Sequence, residues 1–175
     1  QPRYQPSIDN RKGLFSLDNL WDGLGALVVI NPDIKYLFGK VTMYPHFNEE
    51  ARDLLMYFME TYFPDRKNLV KPYEQLNLGY KTDISKYIGV FDGLNYKDGY
   101  KVLNKHIREL GENIPPLINT YMNLSPTMLT FGTALNDEFG EVEETGILIT
   151  LEDIYLPKKE RHISTFERDK FFVEK

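Results

Sequence analysis

The chain has 175 residues, of which 42% are hydrophobic and 14% aromatic, which suits one packed domain and argues against a disordered chain. Its net charge of -5 repels a phosphate backbone, and the basic residues form no stripe along the sequence, so we expect no nucleic-acid partner. The chain has no cysteine, and its three histidines, His46, His106 and His162, lie far apart. We therefore predict neither a thiolate nucleophile nor a metal site.

The longest apolar run, Leu24 to Ile30, is far shorter than the roughly 20 residues that cross a bilayer. We therefore expect no membrane span. The chain begins at Gln1 and shows no apolar region typical of a signal peptide, which indicates a processed start or a piece of a longer protein. We predict a cytoplasmic location, and peripheral contact with the inner membrane face stays open as an alternative.

The first predicted helix follows a polar segment that ends in a turn-forming cluster at residues 9–13. Ser16 can cap this helix, apolar residues then recur at three- and four-residue intervals, and Asn31-Pro32 ends it. Gly23 and Gly25 lower the helix propensity, which we interpret as a sign of close packing on a sheet.

A strand and a second helix are predicted next. Tyr36 to Met43 alternates in polarity and is rich in strand-forming residues, which predicts a strand. Asn48 then caps a helix with an acidic first turn, and Pro64 ends it. Residues 65–99 have weak periodicity, which predicts an irregular insertion with a short helix near residues 83–87. The apolar face of the second helix consists of Leu54, Leu55, Phe58 and Tyr62.

The remaining chain predicts two more helices and two strands. An apolar stripe from Val102 to Leu110 indicates one helix, and Pro115-Pro116 opens a shorter one. Strands are predicted at Met128 to Leu135 and at Thr145 to Leu151, joined by an acidic loop. Residues 157–175 are predicted to form a charged tail.

These elements predict a mixed α/β fold in which helices flank a sheet of about four strands. A sheet of this size looks incomplete, and a strand before Gln1 would be its natural neighbour. Because an open sheet edge pairs readily with other chains, we also expect a homodimer.

The turn before the first helix is a candidate phosphate-binding site. Backbone N–H groups at a helix start lack intrahelical partners and attract anions, and the basic side chains in this turn add positive charge. The pyrophosphate of coenzyme A or a phosphopantetheine arm would fit there, although an ordinary capped helix is the alternative. The candidate binding residues are those of this turn, Asn10, Arg11, Lys12, Gly13, Leu14, Phe15 and Ser16, together with Asn48 at the start of the second helix.

The order of these elements resembles that of the N-acetyltransferase (GNAT) superfamily. There, a phosphate-binding loop and helix are followed by a strand and a helix that opens with Asn-x-x-Ala-x-x-Leu, which matches Asn48, Ala51 and Leu54. The loop departs from the family pattern at Asn10 and Phe15. A more specific likeness is to bacterial lipid N-acyltransferases of ornithine or glycine lipid synthesis, whose relatives are often labelled hemolysins. The segments that carry it are Gly13 to Gly25, Tyr36 to Gly39, Ile114 to Leu124 and Asn136 to Ile149.

This resemblance implies that residues 1–156 are the C-terminal part of a GNAT-like domain whose first strands are missing. It also implies a donor, a (3-hydroxy)acyl chain on acyl carrier protein or coenzyme A, and an acceptor, the amine of an amino acid. No tightly bound cofactor is implied. A second reading stays open, in which the chain is a non-catalytic module that binds acyl carrier protein or a membrane surface beside another acyltransferase domain.

Attack of an amine on a thioester needs a base, a donor to the oxyanion and an acid for the leaving thiolate. Superfamily members often carry a tyrosine on the helix after Asn-x-x-Ala, but Leu55 occupies that position here, which makes Tyr57 a neighbouring candidate. Tyr121 is another candidate proton donor, and Asp137 and Glu141 could hold the ammonium group. Packed aromatic side chains and a solvated acid are the alternatives. Phe15, which replaces a small residue of the loop, favours a long acyl donor over an acetyl donor; the alternative is that Phe15 and its neighbours only pack the helix onto the sheet.

Overall fold

The computed structural model describes residues 21–163. Tyr36–Asp153 forms one compact unit, and the described residues on either side of it belong to a second unit. Within the described residues, no helix is long and apolar enough to cross a membrane. These residues also contain no group of three or more histidine, aspartate or glutamate side chains that could hold a metal ion.

Four antiparallel strands form the sheet of the larger unit, in the order β1-β4-β3-β2. The fold class is confirmed as mixed α/β, because helices flank this sheet. Among the described residues, β1 lies at one edge of it. The strands are β1 (Tyr36–Met43), β2 (Asn77–Leu78), β3 (Leu129–Asn136) and β4 (Val142–Thr150).

Five helical segments accompany the strands. They are α1 (residues 21–30), α2 (Glu49–Tyr62), α3 (Tyr96–Glu109), α4 (Pro116–Met122) and α5 (Leu156–His162). Single 3₁₀ turns at Glu74–Leu76, Ser85–Tyr87, Asp137–Phe139 and Leu151–Asp153 complete the described elements. The turn at Ser85–Tyr87 confirms the short helix predicted near residues 83–87.

Several boundaries differ from the predicted ones. Helix α3 begins at Tyr96 rather than near Val102, because Asn95 accepts a hydrogen bond from the Asp98 backbone and caps an earlier start. Strand β4 begins at Val142 rather than Thr145, because its first residue pairs with Asn136 across the hairpin. Helix α5 was not predicted at all, since its sequence is mostly charged.

Helix α2 covers one face of the sheet. Most of its first two turns and its Phe58 and Met59 side chains are buried. The covered face is made by alternate residues of β1 and β4, such as Val41, Thr145 and Ile147, which are almost inaccessible to solvent. On the other side of α2, an aromatic cluster joins it to α3, with ring centroids 4.6 to 6.5 Å from Phe58. These rings are Tyr62, Phe91, Tyr96 and Tyr100.

In the smaller unit, α1 packs on the end of α5. A Cβ atom at Gly25 would lie 1.7 Å from the His162 carbonyl oxygen, so only glycine allows this approach. Asp22 Oδ1 and His162 Nδ1 are 2.8 Å apart in the same contact. The close packing predicted for Gly25 is therefore against a helix and not a sheet, whereas Gly23 has no neighbour within 4 Å.

Candidate functional site

Asn48 connects the end of β1 to the start of α2. Its Oδ1 atom accepts hydrogen bonds from the backbone N–H groups of Glu50 and Ala51, both at 3.0 Å. Its own backbone N–H donates to Glu112 Oε1 at 3.1 Å. The predicted helix cap is thus confirmed, and its acceptor atom is already engaged by the helix.

Three buried charges, Arg52, Asp53 and Glu143, form a cluster with the exposed Lys81. Arg52 Nε donates to Glu143 Oε2 on β4 at 2.6 Å, and Arg52 Nη1 donates to Asp53 Oδ1 at 2.5 Å and to the Gly79 carbonyl at 2.7 Å. Lys81 Nζ lies 2.6 Å from Glu143 Oε1, and this hydrogen bond raises the pKa of Lys81. We call Arg52, Asp53, Lys81 and Glu143 the charged cluster.

The charged cluster joins three parts of the chain. Asp53 Oδ2 accepts hydrogen bonds from the backbone N–H groups of Lys81 and Thr82 and from the Thr82 hydroxyl, at 2.6 to 2.8 Å. It therefore attaches residues 79–82 to α2, while Arg52 attaches α2 to β4. Sequence reasoning placed Arg52 and Asp53 on an ordinary capped helix. One feature of the sequence could have indicated that Arg52 and Asp53 are buried. They lie between Ala51 and Leu54, which belong to the apolar face of the helix.

Tyr121 lies on α4, alongside β1. Its hydroxyl would be 3.7 Å from a Cβ atom at Gly39, so it reaches the middle of this edge strand. Burial raises the pKa of Tyr121. Near neutral pH this hydroxyl keeps its proton, as an ordinary tyrosine does, and it lies next to β1.

Tyr57 has a different environment. Its hydroxyl oxygen accepts a hydrogen bond from the Gly89 backbone N–H at 3.0 Å, and its ring packs on Phe91 with centroids 5.6 Å apart. These contacts are those of a side chain that holds residues 89–91 against α2. A catalytic role for Tyr57 stays a prediction.

Asp137 is exposed in the turn between β3 and β4. The pairing of Met43 with Glu143 and of Asn136 with Val142 places this turn at the end of the sheet where β1 finishes. Asp137 and Asn48 thus lie at the same end of the sheet, each just after the last residue of a strand or close to it. Tyr121 instead reaches the middle of β1.

Two cavities adjoin the ends of β1. The one at its C-terminal end measures about 510 Å³ and lies between Met43, His46, Glu112 and the first residues of α4. The one at its N-terminal end measures about 830 Å³ and is mainly apolar. Both volumes are typical of small-molecule sites. The apolar lining of the larger cavity includes Tyr36, Phe63, Leu69, Met128, Leu129 and Leu148.

The predicted phosphate-binding turn lies outside the described residues. This applies to Asn10, Arg11, Lys12, Gly13, Leu14, Phe15 and Ser16. Their proposed contact with a phosphate stays a prediction.

Comparison with known proteins gives two informative likenesses. Over 163 residues, the chain is 55% identical to a protein of Bacteroides thetaiotaomicron and 51% identical to one of Phocaeicola vulgatus, and both are named glycine Nα-acyltransferase. Each alignment covers 93% of this chain but only 48% and 49% of the relatives, so the chain spans about half their length. No family model and no solved structure matches the chain. The two likenesses support the resemblance to acyltransferases.

Proposed function

We propose that this chain is part of an N-acyltransferase that moves an acyl group from a thioester to the amine of an amino acid. The observation that carries this is the identity of 51 to 55%, over 93% of the chain, to proteins named for acylation of glycine. We further propose that the donor is a (3-hydroxy)acyl chain on acyl carrier protein or coenzyme A and that the product is an amino-acid lipid. Glycine is the first acceptor to test.

The reaction can be written along β1. The amine nitrogen attacks the thioester carbonyl carbon and gives up a proton to a base, the C–S bond breaks, and the leaving thiolate takes a proton. We assign that proton to the Tyr121 hydroxyl, because its position beside Gly39 brings a phenol O–H to β1. The tyrosinate that forms then regains a proton from water. Within residues 21–163, β1 is an edge strand, and the N–H and C=O groups that such a strand directs outward can hold an extended thioester arm.

The cavity at the start of β1 suits a long acyl chain. Its volume of about 830 Å³ and its apolar side chains match a hydrocarbon better than an acetyl group. Each buried methylene is worth roughly 0.8 kcal/mol, so a chain of about six methylenes would bind more tightly than acetyl by several kcal/mol. This supports the proposed preference for a long-chain donor.

Carboxylates near the other end of β1 suit the amine substrate. Glu112 lines the cavity of about 510 Å³ there, and Asp137 is exposed at the same end of the sheet. We propose that one or both attract the ammonium form of the acceptor. A base must then remove its proton before attack.

The phosphate-binding role of residues 10–16 is part of the same proposal. Replacing Arg11 and Lys12 with glutamate should raise the KM for the donor in the full-length protein without a comparable change in the KM for the amino acid. An unchanged donor KM would remove this turn from the site.

The activity is tested by incubating the full-length protein with glycine and either a 3-hydroxyacyl carrier-protein thioester or acetyl coenzyme A. Mass spectrometry should detect the N-acylated amino acid with the long-chain donor and much less with acetyl. Equal or better turnover of acetyl would contradict a long-chain acyltransferase. Absence of product with every donor would contradict the transferase itself.

Tyr121→Phe and Tyr57→Phe form a matched pair that tests the assignment of the acid. Loss of a general acid typically costs a factor of about 10² to 10⁴, so Tyr121→Phe should lower kcat by at least about 10² with little change in KM. Tyr57→Phe should leave kcat within about a factor of two. The reverse pattern would transfer the role to Tyr57.

A further inference from the structure

A basic and apolar loop follows α2. Residues 66–73, Arg-Lys-Asn-Leu-Val-Lys-Pro-Tyr, contain cations and no acid, and we call them the basic loop. Its apolar side chains face solvent: Leu69 is 55% exposed, Val70 40% and Tyr73 84%. Burying such side chains would be favourable, so their exposure together in one loop indicates a surface that contacts something else.

The structure holds this loop in shape. Asp65 accepts backbone hydrogen bonds at its two carboxylate oxygens, from Lys67 at 3.1 Å and from Leu69 at 2.5 Å. Asn68 adopts a left-handed conformation with φ of 51°, which turns the chain between them. At the far end, Pro72 packs so closely on β3 that a Cβ atom at Gly132 would lie 2.7 Å from its ring. The exposed side chains are therefore displayed by a braced loop.

The cations of this loop make no close ion pair. Arg66, Lys67 and Lys71 form no ion pair within residues 21–163, whereas Lys40, Lys81, Lys86 and Lys101 each pair with a carboxylate. Asp65 and Glu74 flank the loop, but three cations with no acid between them are a local exception in a chain of net charge -5. They would attract an anionic surface at short range.

We propose that the basic loop docks the protein on an anionic lipid bilayer, with Leu69, Val70 and Tyr73 entering the headgroup region. Cations attract anionic lipids, apolar side chains add affinity by burial in the interface, and tyrosine is enriched at that depth. A bilayer suits this loop better than an acidic protein does, because adjacent exposed apolar residues beside cations can insert into a fluid surface without a shaped partner.

The basic loop also borders the larger cavity beside β1. Arg66, Lys67 and Leu69 also line the cavity of about 830 Å³ beside β1. Docking would bring the mouth of this cavity to the lipid surface, where an amphiphile could pass between the two. The docking proposal does not depend on the proposed catalytic activity, because vesicle binding is measured without any substrate.

Vesicle sedimentation with the full-length protein tests the proposal. The protein should bind vesicles of phosphatidylcholine mixed with phosphatidylglycerol and should bind pure phosphatidylcholine far more weakly. Each basic residue near an anionic bilayer is worth roughly a fivefold change in partitioning, so Arg66→Gln, Lys67→Gln and Lys71→Gln together should weaken binding about a hundredfold. Salt near about 1 M should weaken it as well, because the screening length falls to about 3 Å.

A matched control lies on α3. Changing Lys101, Lys105 and Arg108 to glutamine removes the same charge from another exposed surface, where Lys101 and Lys105 already pair with acids. This variant should bind vesicles within about twofold of the unmodified protein. An equal loss in both triple variants would overturn the proposal, because net charge and not the loop would then control binding.

Insertion is tested separately. Leu69→Ser with Val70→Ser keeps every charge and should weaken vesicle binding at least about tenfold, since two apolar side chains no longer enter the interface. In Val70→Trp, the fluorescence added to that of Trp21 should shift to shorter wavelength on binding. Unchanged affinity of the serine variant or an unshifted emission would contradict insertion.

Binding of the basic loop to acidic acyl carrier protein, with no binding to vesicles, would overturn the membrane assignment.

Discussion

The two ends of helix α2 carry positive charge in opposite surroundings. At the first turns, the side chain of Arg52 is only 3% exposed and is held by two carboxylates and a carbonyl. After the last turn, Arg66 and Lys67 are exposed and form no ion pair within the described residues. Arg52 therefore stabilises the fold, whereas Arg66 and Lys67 are exposed and can bind a partner. Residue type alone does not distinguish these roles.

The largest expected effect is the loss of the buried cation. Arg52→Met would leave the buried carboxylates of Asp53 and Glu143 without the guanidinium that bridges them, and breaking a buried pair typically costs about 3–5 kcal/mol of the free energy of unfolding. Urea denaturation measures this loss. Arg66→Met, at the other end of the helix, should change stability by less than about 0.5 kcal/mol. If Arg52→Met and Arg66→Met lost similar amounts of unfolding free energy, Arg52 would not be the stabilising cation of the two.

Glycine-to-alanine changes probe the backbone near each region. In Gly132→Ala the new methyl group would meet Pro72 of the basic loop at 2.7 Å, so overpacking should cost about 1–3 kcal/mol. Gly79, whose carbonyl accepts from Arg52, has open space around it. Gly79→Ala should therefore be neutral or stabilise by up to about 1 kcal/mol. Thermal unfolding of the two variants measures the difference, and a neutral Gly132→Ala would mean that the loop is not braced on β3.

Removing the cap of α2 should have an intermediate to small effect. Asn48→Ala leaves the N–H groups of Glu50 and Ala51 without their acceptor, which costs typically about 1 kcal/mol. Asn48→Ser keeps a capping oxygen and should recover most of that loss. If both variants retained full stability, the cap would be dispensable and Asn48 would be free for another role.

The smallest effect concerns pH. The hydrogen bond with Glu143 raises the pKa of Lys81 above that of an unfolded lysine, near about 10.4, so its stabilisation is present below that pH and is lost as pH rises through the raised value. As pH rises above about 10, Lys81→Met should lose less stability than the unmodified protein does. Lys67→Met, which removes a lysine without an ion pair in the described chain, should keep the original pH dependence. Urea midpoints across this range give the comparison, and parallel curves for all three proteins would contradict the role of the pair.

Local signals predicted much of the fold. The alternation of Tyr36 to Met43 gave the bounds of β1, and the cap at Asn48 and the proline at Pro116 marked the starts of α2 and α4. Each of these signals depends on residues that are neighbours in sequence. Helix α5 lacks such a signal, because its mostly charged sequence shows no apolar periodicity.

The sequence by itself determined the fold class, the order of the main elements and the resemblance to acyltransferases. Only the tertiary structure decided which charges are buried. Arg52 meets Glu143 because α2 crosses the covered face of the sheet, and the basic loop is displayed because Pro72 packs on Gly132. The partners in both contacts are far apart in sequence, so neither spacing nor composition could predict them. Solvent exposure is a property of the folded surface, and it separates a charge that stabilises the fold from one that can bind.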